Sequence, residues 1–389
     1  MTKPLTTAIP RCPHFGLCGG CQYQDLAYAE QLRIKQARLE DLLRQASVEA
    51  PPITVHSAEP YTYRNRIRLR LERIDGVHRF GYNRANTTDF LPITTCPISA
   101  PILVQTAEAL AAAASADRDA EFWLNAAAEV ELFTGHDLAR VQMTLHCAPR
   151  TKAQPGSFAR AFAAIQSVLP QFTGASAIAA DPRTGPTGRT LDAAGATGLT
   201  YRVGAESYWI TRGSFFQVNR FLIETLVNLV CNLDADQPRT GQLAWDLYAG
   251  VGLFSRVLAH TFTRITAVEA IPTAAADLRT SLAKLSPPSN AIEATTLDFL
   301  RRAVLDRDRP DLIVLDPPRA GAGLEACELL NRLAPAAIVY VSCDPTTLAR
   351  DLNALQPSYT IRDLHLVDLF PQTFHLETVA ILTRNPSAS

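Results

Sequence analysis

An excess of charge of either sign is missing from this 389-residue chain, in which 37 Lys and Arg stand against 38 Asp and Glu, for a formal net charge of -1 with His neutral. A generally basic surface is thereby excluded, and any face that meets a polyanion has to be local. Long apolar runs are missing too. The stretch from Met1 to Arg11 has no leader-like hydrophobic core, and the Ala-rich run Ala107 to Ala116 is interrupted by Glu108 and Ser115. Neither secretion nor a membrane span is expected, and the chain reads as cytoplasmic. No internal repeat stands out. Without an oxidising destination, the eight cysteines are poor ground for a disulfide framework.

What is present is an ordinary globular composition, 47% hydrophobic and 19% charged, over a length sufficient for two or three domains and a sizeable core. Three cysteines cluster in Cys12-Pro-His-Phe-Gly-Leu-Cys18-Gly-Gly-Cys21, where Gly19 and Gly20 let the backbone curl so that thiolates converge. One close C-x2-C pair is common to zinc and iron–sulfur sites. A fourth ligand has to come from far away, and Cys96, followed by Pro97, is the candidate. On spacing alone an iron–sulfur centre, a zinc site and unligated thiols all stand open, and His14 reads as a loop residue. Cys147, Cys231 and Cys327 have no informative neighbours and read as core.

Between Leu26 and Leu43 the residues Ala29, Leu32, Leu39 and Leu43 share one face at helical spacing, which predicts an amphipathic helix. Pro51, Pro52 and Pro60 then mark a linker or a domain crossing. From Arg66 the chain alternates strictly, putting Arg66, Arg68 and Arg70 on one strand face and Ile67, Leu69 and Leu71 on the other; Asp75-Gly76 signals a turn and Arg79 to Arg84 the return strand. Seven arginines against Glu72, Asp75 and Asp89 between Tyr61 and Phe90 make this hairpin a candidate nucleic-acid surface, with a plain solvated strand face as the alternative. A mixed α+β domain follows. It holds an Ala-rich helix, a strand around Arg140 to His146, a helix from Phe158 to Val168, a Gly/Pro/Thr-rich stretch Asp181 to Gly198, and a strand Leu199 to Val203.

Past Gly213, apolar strands and helices alternate in the manner of a doubly wound parallel sheet. Leu243 to Phe254 reads as a strand, a glycine turn and a helix start, in which Gly250 and Gly252 admit a ligand close to the backbone. The third dinucleotide-binding glycine is replaced by Ser255, which weakens a nicotinamide reading. Glu269 ends the next strand, 19 positions after Gly250, where it suits ribose hydroxyls. Asp316 closes a further strand ahead of the rigid Pro317-Pro318. The run Ala336 to Val341 delivers Cys343 to a strand's carboxyl end, the edge where ligands bind in such sheets. Two final extended runs, Thr360 to Leu369 and Glu377 to Leu382, suit an antiparallel pair.

Taken in order, C-x5-CGGC, YRNR, CPI at Cys96, SFFQVN, DLYAGVGLF, LDPPRAG, YVSCDPTTLARDL and FPQTFHLET resemble the RNA uracil-carbon-5 methyltransferase family over nearly the whole chain, Cys12 to Glu377. The resemblance implies an α/β, Rossmann-like S-adenosylmethionine (SAM) methyltransferase domain with an antiparallel terminal hairpin, plus an α+β RNA-binding and iron–sulfur domain. It implies a [4Fe–4S] cluster on Cys12, Cys18, Cys21 and Cys96, and SAM contacts from Gln217, Tyr248, Glu269 and Asp316. Cys343 would be the nucleophile, Glu377 the base and Phe215 the aromatic against a flipped uracil, while Arg66 and Arg68 are candidate RNA contacts. Thr295, Thr296 and Asp298 are open as contacts to the adenine. The expected division is 1–25 for the cluster, 26–52 for a helix on the catalytic domain, 53–204 for the central domain and 205–389 for the methyltransferase.

The chemistry accounts for those residue types. Carbon 5 of uracil is a poor nucleophile until a thiolate adds to carbon 6, and Arg319 or the SAM cation would help ionise Cys343. A carboxylate with a tuned pKa then removes the carbon-5 proton. The cluster cysteines lean towards 23S rRNA, since the bacterial tRNA enzymes of the family generally lack them; a tRNA uridine is the alternative target. The short segment before Cys12 predicts that the N-terminal oligonucleotide-binding (TRAM) domain of some members is absent. A non-catalytic iron–sulfur RNA-binding or assembly protein is the rival from another class. A monomer with no obligatory protein partner and no membrane association is expected.

Overall fold

The computed structural model describes residues 5–152, 154–181, 185–231, 239–283, 285 and 289–386. The chain forms two compact units, one of Met1–Ala27, Glu59–Arg202 and Trp209–Arg220, the other of Tyr28–Ala58, Val203–Tyr208 and Phe221–Ser389. In chain order the elements begin with α1 (Tyr28–Gln45) and β1 (Ile53–His56), both in the second unit. The first unit then contributes β2 (Arg66–Ile74), β3 (Val77–Asn83), β4 (Phe90–Pro92), α2 (Pro101–Ala116), α3 (Arg118–Ala126), β5 (Ala127–Thr134), β6 (Val141–Cys147), α4 (Ser157–Val168), β7 (Phe172–Asp181) and β8 (Gly185–Gly195). A separate two-stranded ribbon of β9 (Gly198–Val203) and β10 (Glu206–Thr211) follows. The remainder is α5 (Ile223–Cys231), β11 (Gly241–Leu247), α6 (Ser255–Leu258), β12 (Phe262–Glu269), α7 (Pro272–Leu282), β13 (Ser289–Glu293), α8 (Thr296–Asp306), β14 (Leu312–Leu315), α9 (Leu324–Leu333), β15 (Ala337–Ser342), α10 (Pro345–Leu355), β16 (Tyr359–Val367) and β17 (Glu377–Arg384).

The first unit is a seven-stranded sheet in the order β4-β3-β2-β5-β6-β7-β8, antiparallel except for the β6–β7 pair. Strand alternation turns Ile67, Leu69 and Leu71 into one core with Leu103 and Leu110 of α2, Trp123 of α3 and Phe158 of α4. The turn between β2 and β3 uses Asp75 and Gly76, both left-handed at φ 51 and 78, as a two-residue hairpin of this hand requires. The opposite strand face is paired with acids. Arg66 pairs with Glu131 at 2.7 Å, the Arg68 Nε donates to Glu129 at 2.6 Å, and Arg70 pairs with Glu72 at 2.7 Å. Acids from β5 and from β2 itself therefore neutralise much of the arginine stripe, and Arg66 is largely buried within the unit.

The second unit is an eight-stranded sheet in the order β1-β16-β17-β15-β14-β11-β12-β13. All neighbours are parallel except β17, which runs antiparallel to both β15 and β16. β14 and β15 are buried on both faces, as their unbroken apolar runs require, within a core that includes Trp245, Leu330, Tyr340 and Leu352. Two boundaries differ from the sequence expectation. Ile53–His56 joins this sheet as an edge strand parallel to β16 rather than opening the central domain. Trp209–Arg220 groups with the first unit rather than the methyltransferase. The Asp181 to Gly198 stretch holds β8, and 182–184 lie outside the described residues. Among the described residues no helix is long and apolar enough to cross a membrane.

Candidate active site

Parallel strands all end at one edge of a sheet, and an antiparallel neighbour starts there. In the second unit this gathers Tyr248 after β11, Glu269 at the end of β12, Asp316 after β14 and Cys343 after β15, with Glu377 as the first residue of β17. Ser342 pairs with Thr378 and Val367 with Glu377, so the register sets Cys343 beside Glu377. The Asp316 N–H donates to the Leu247 carbonyl at 3.3 Å, which fixes the start of the Pro317-Pro318 loop. On its far side that loop is tied down by the Thr347 hydroxyl, which donates to the Arg319 carbonyl at 3.0 Å. Asp344 caps α10 by accepting from the N–H groups of Thr346 and Thr347 at 2.9 and 3.1 Å, which turns the chain sharply after Cys343.

Burial pushes the Cys343 thiol up to about 11, with Glu377 and Asp316 adding to the rise and Arg319 opposing it. Glu377 is fully enclosed. Burial first, and Asp316 second, hold its carboxyl well above the usual carboxylate range, again against Arg319. Arg319 thus acts in the direction the sequence suggested, but the two acids and desolvation outweigh it in the unliganded protein. The Cys343 thiol is therefore protonated at neutral pH, and the Glu377 carboxyl holds its proton to higher pH than an ordinary carboxylic acid does.

The glycine turn after β11 is built for close approach. Gly250, at φ 56, faces open space in which an added Cβ would meet nothing, whereas a Cβ on Gly252 would collide with Leu278 of α7 at 2.8 Å. Glu269 braces this turn, accepting from Gly250 N at 2.8 Å and Ile271 N at 2.7 Å. Each carboxylate oxygen accepts two hydrogen bonds, so capacity for hydroxyl donors remains. Ser255 replaces the third glycine for a reason visible here: its N–H and hydroxyl both donate to Oδ2 of the fully buried Asp246, at 2.9 and 2.5 Å. Burial raises Asp246 to about 7, with Ser255 opposing. Thr295 caps α8 against Asp298, and Thr296 hydrogen-bonds Tyr248, so all three adenine candidates serve local structure.

In the first unit, the YRNR segment is tied to the Ser214 to Val218 stretch. Asn65 is wholly buried and its Nδ2 donates to the Gln217 carbonyl at 3.0 Å and to Tyr201 at 3.1 Å, while Arg66 donates to the Ser214 carbonyl at 2.7 Å. Between those anchors Phe215 is 62% exposed, and Gln217 is buried. Cys12, Cys18, Cys21 and Cys96 line one cavity of about 190 Å³. Burial, together with each other's charge, raises Cys12 and Cys18 and brings Cys21 to about 12. Among the described residues, no three His, Cys, Asp or Glu side chains converge on a single metal ion. His14 accepts from Thr94 N at 3.2 Å, as a loop residue does.

A family model described as tRNA (Uracil-5-)-methyltransferase matches residues 201–385. The chain is 31% identical to the 23S rRNA (uracil(1939)-C(5))-methyltransferase RlmD of Aromatoleum aromaticum, over 97% of this chain and 86% of that one. It is also 31% identical to an RNA methyltransferase of Nitratidesulfovibrio vulgaris, over 98% of this chain and 84% of the relative. The chain belongs to the RNA uracil-C5 methyltransferase family. Its fold resembles that of the Pyrococcus abyssi tRNA (uracil-54, C5)-methyltransferase solved with S-adenosyl-L-homocysteine, at a TM-score of 0.73 and 24% identity, covering 98% of this chain and 86% of the other.

Several residues of this uracil-C5 methyltransferase escaped the sequence reading. Gln24, 1% exposed, accepts from Cys12 N at 3.0 Å, and its Nε2 lacks an oxygen or nitrogen acceptor while its amide lowers the Cys21 thiol. The only signal was a glutamine three places after Cys21. Asp246 and the polar face of α1 were equally silent, being ordinary residues inside regular elements. The electrostatics of the methyltransferase make one expectation explicit. Alkylation of Cys343 by iodoacetamide in the free enzyme rises with pH to half its plateau near pH 11, and Glu377→Gln moves that midpoint down, because a carboxylate ionised at such pH no longer opposes the thiolate. Mass-spectrometric rates at Cys343 across pH check this; an unmoved midpoint contradicts the coupling.

Proposed function

We propose that this enzyme methylates carbon 5 of one uridine in 23S rRNA by covalent catalysis, with SAM as donor, Cys343 as nucleophile and Glu377 as base. The observation that carries the reading is the facing of Cys343 and Glu377 across β15 and β17, with Asp316 acting on both. Tyr248, Glu269 and Asp316 would hold SAM, and the open side of Gly250 beside the braced Glu269 carboxylate fits an adenosine ribose. When bound, SAM supplies an electrophilic methyl on a sulfonium.

The Cys343 thiolate forms a bond to carbon 6 and drives the carbon 5–carbon 6 π pair towards an enolate, so that carbon 5 can take the methyl. Glu377 then accepts the carbon-5 proton. The C–H pair re-forms the double bond and expels the Cys343 thiolate. A carboxylate kept basic by burial is suited to that transfer, whereas an exposed one near pH 4 is too weak a base. Phe215 offers an exposed ring for stacking on an unstacked base, and Arg68, half exposed, is a backbone contact.

Cys12, Cys18, Cys21 and Cys96 would hold a [4Fe–4S] cluster that braces the first unit. In such a cluster each thiolate binds a different iron, so the sulfurs surround a cavity instead of meeting at one point. Gln24 Nε2, and Gly20 N–H at 3.4 Å from the Cys18 sulfur, suit hydrogen bonding to cluster thiolates. The four-cysteine set and the likeness to the Aromatoleum enzyme favour 23S rRNA. The tRNA description of the family model makes a tRNA uridine the competing target, in a monomer that needs no protein partner.

RNA carrying 5-fluorouridine is expected to form a denaturant-resistant adduct with the enzyme in the presence of SAM and none with Cys343→Ala; an adduct in that variant, or unaltered methylation by it, rules out the nucleophile. Anaerobically purified protein is expected to be brown, with absorbance near 400 nm that Cys96→Ser abolishes, whereas a colourless zinc-loaded protein rejects the cluster. Mapping 5-methyluridine after gene deletion is expected to show loss at one 23S rRNA site, and loss from tRNA alone overturns the target.

A further inference from the structure

The buried stripe of α1 is Gln31, Lys35, Leu39 and Leu43, one residue per turn along a single face. Its second half is apolar and its first half is not. Lys35, 1% exposed, pairs with Asp368, 0% exposed, at 2.5 Å, and its Nζ also donates to the Phe370 carbonyl at 2.9 Å. Two turns earlier, Tyr28 donates to the same carboxylate at 2.9 Å. Gln31 reads both edges of Gln372: its Oε1 accepts from Gln372 N at 2.9 Å and its Nε2 donates to Gln372 Oε1 at 3.0 Å.

Asp368, Phe370 and Gln372 all lie on the connection from β16 to β17, which ends at Glu377. Gln372 sits there with φ 70, a left-handed conformation that costs a non-glycine residue free energy and persists only where its surroundings enforce it. An apolar stripe of similar shape would stabilise the helix contact at least as well as a buried ion pair, whose desolvation largely cancels its attraction. Its directional bonds fix a loop conformation, which apolar contact does not.

We infer that α1 is a positioning element for the base: Gln31 and Lys35 lock the connection after β16 so that Glu377 reaches the carbon-5 proton. This rests on the reading of Glu377 as base. A loosened clamp impairs proton removal, the step that re-forms the double bond and releases Cys343. It leaves the earlier addition of Cys343 and the methyl transfer intact, because β15 and α10 set the nucleophile.

The test uses the full-length enzyme with its normal RNA and SAM, and compares Gln31→Leu, Gln372→Gly and Glu377→Gln. Gln372→Gly retains freedom for the left-handed backbone and removes only the amide pair, so it decides the matter if Gln31→Leu does not fold. Turnover is expected to fall by about 10- to 100-fold in both clamp variants, the scale of a misplacement near 1 Å. The fraction of enzyme trapped covalently on methylated RNA should rise, as in Glu377→Gln. Adduct formation on 5-fluorouridine RNA, which needs no proton removal, should stay within about twofold of wild type, a difference too small to signal a displaced nucleophile. Equal slowing of adduct formation and turnover, or no change in either, overturns the inference. If Glu377→Gln itself traps no methylated adduct, the assignment of the base fails and takes the inference with it.

Discussion

The candidate site depends on one strand running the wrong way. Were β17 parallel to its neighbours, its first residue would lie at the amino edge of the sheet, a strand length away from Cys343. Because it is inserted antiparallel between β15 and β16, the end of one strand and the start of another share an edge. Main-chain hydrogen bonds then set the strand pair that carries nucleophile and acid, and the connection ahead of β17 sets how Glu377 enters it. Side-chain positions held by a ladder are tighter than those held by a connection, and catalysis is sensitive to that difference.

The same edge collects too much negative charge for water-like behaviour. On top of burial, Asp316 raises both Glu377 and Cys343, Glu377 adds to the rise at Cys343, and Arg319 offsets only part of it. A pocket of this kind favours a cationic ligand, since a positive group relieves the repulsion that raises the thiol and the carboxyl. Beneath it, Asp246 and Ser255 hold the glycine turn from below, and Glu269 holds it from the side.

Much of this architecture was legible in the sequence because parallel strands in a covered sheet announce themselves. An apolar run that stops at Asp316 or Cys343 gives both the strand and the residue at its tip. Legibility failed where long-range pairing decides the outcome. Ile53–His56 is only four residues between prolines, and nothing local reveals that it pairs with Leu364 to Val367. The arginine hairpin looked cationic because its counter-charges, Glu129 and Glu131, arrive from β5 through sheet register. Asn65 carried no local mark of being the knot that fixes Ser214 to Val218, since a buried amide is recognised only by what surrounds it.

The buried pair of Lys35 and Asp368 joins residues 333 positions apart in the chain. A ribosome makes α1 early and its partner almost last. The first unit has all its segments by Arg220, whereas the second holds a lysine and a glutamine without their acceptors until the final strands appear. Exposed polar groups on α1 keep that waiting helix hydrated, which an apolar stripe would not do. The order of synthesis thus favours completion of the first unit before the catalytic sheet, and the last strands to be made are the ones that bring Glu377 to Cys343.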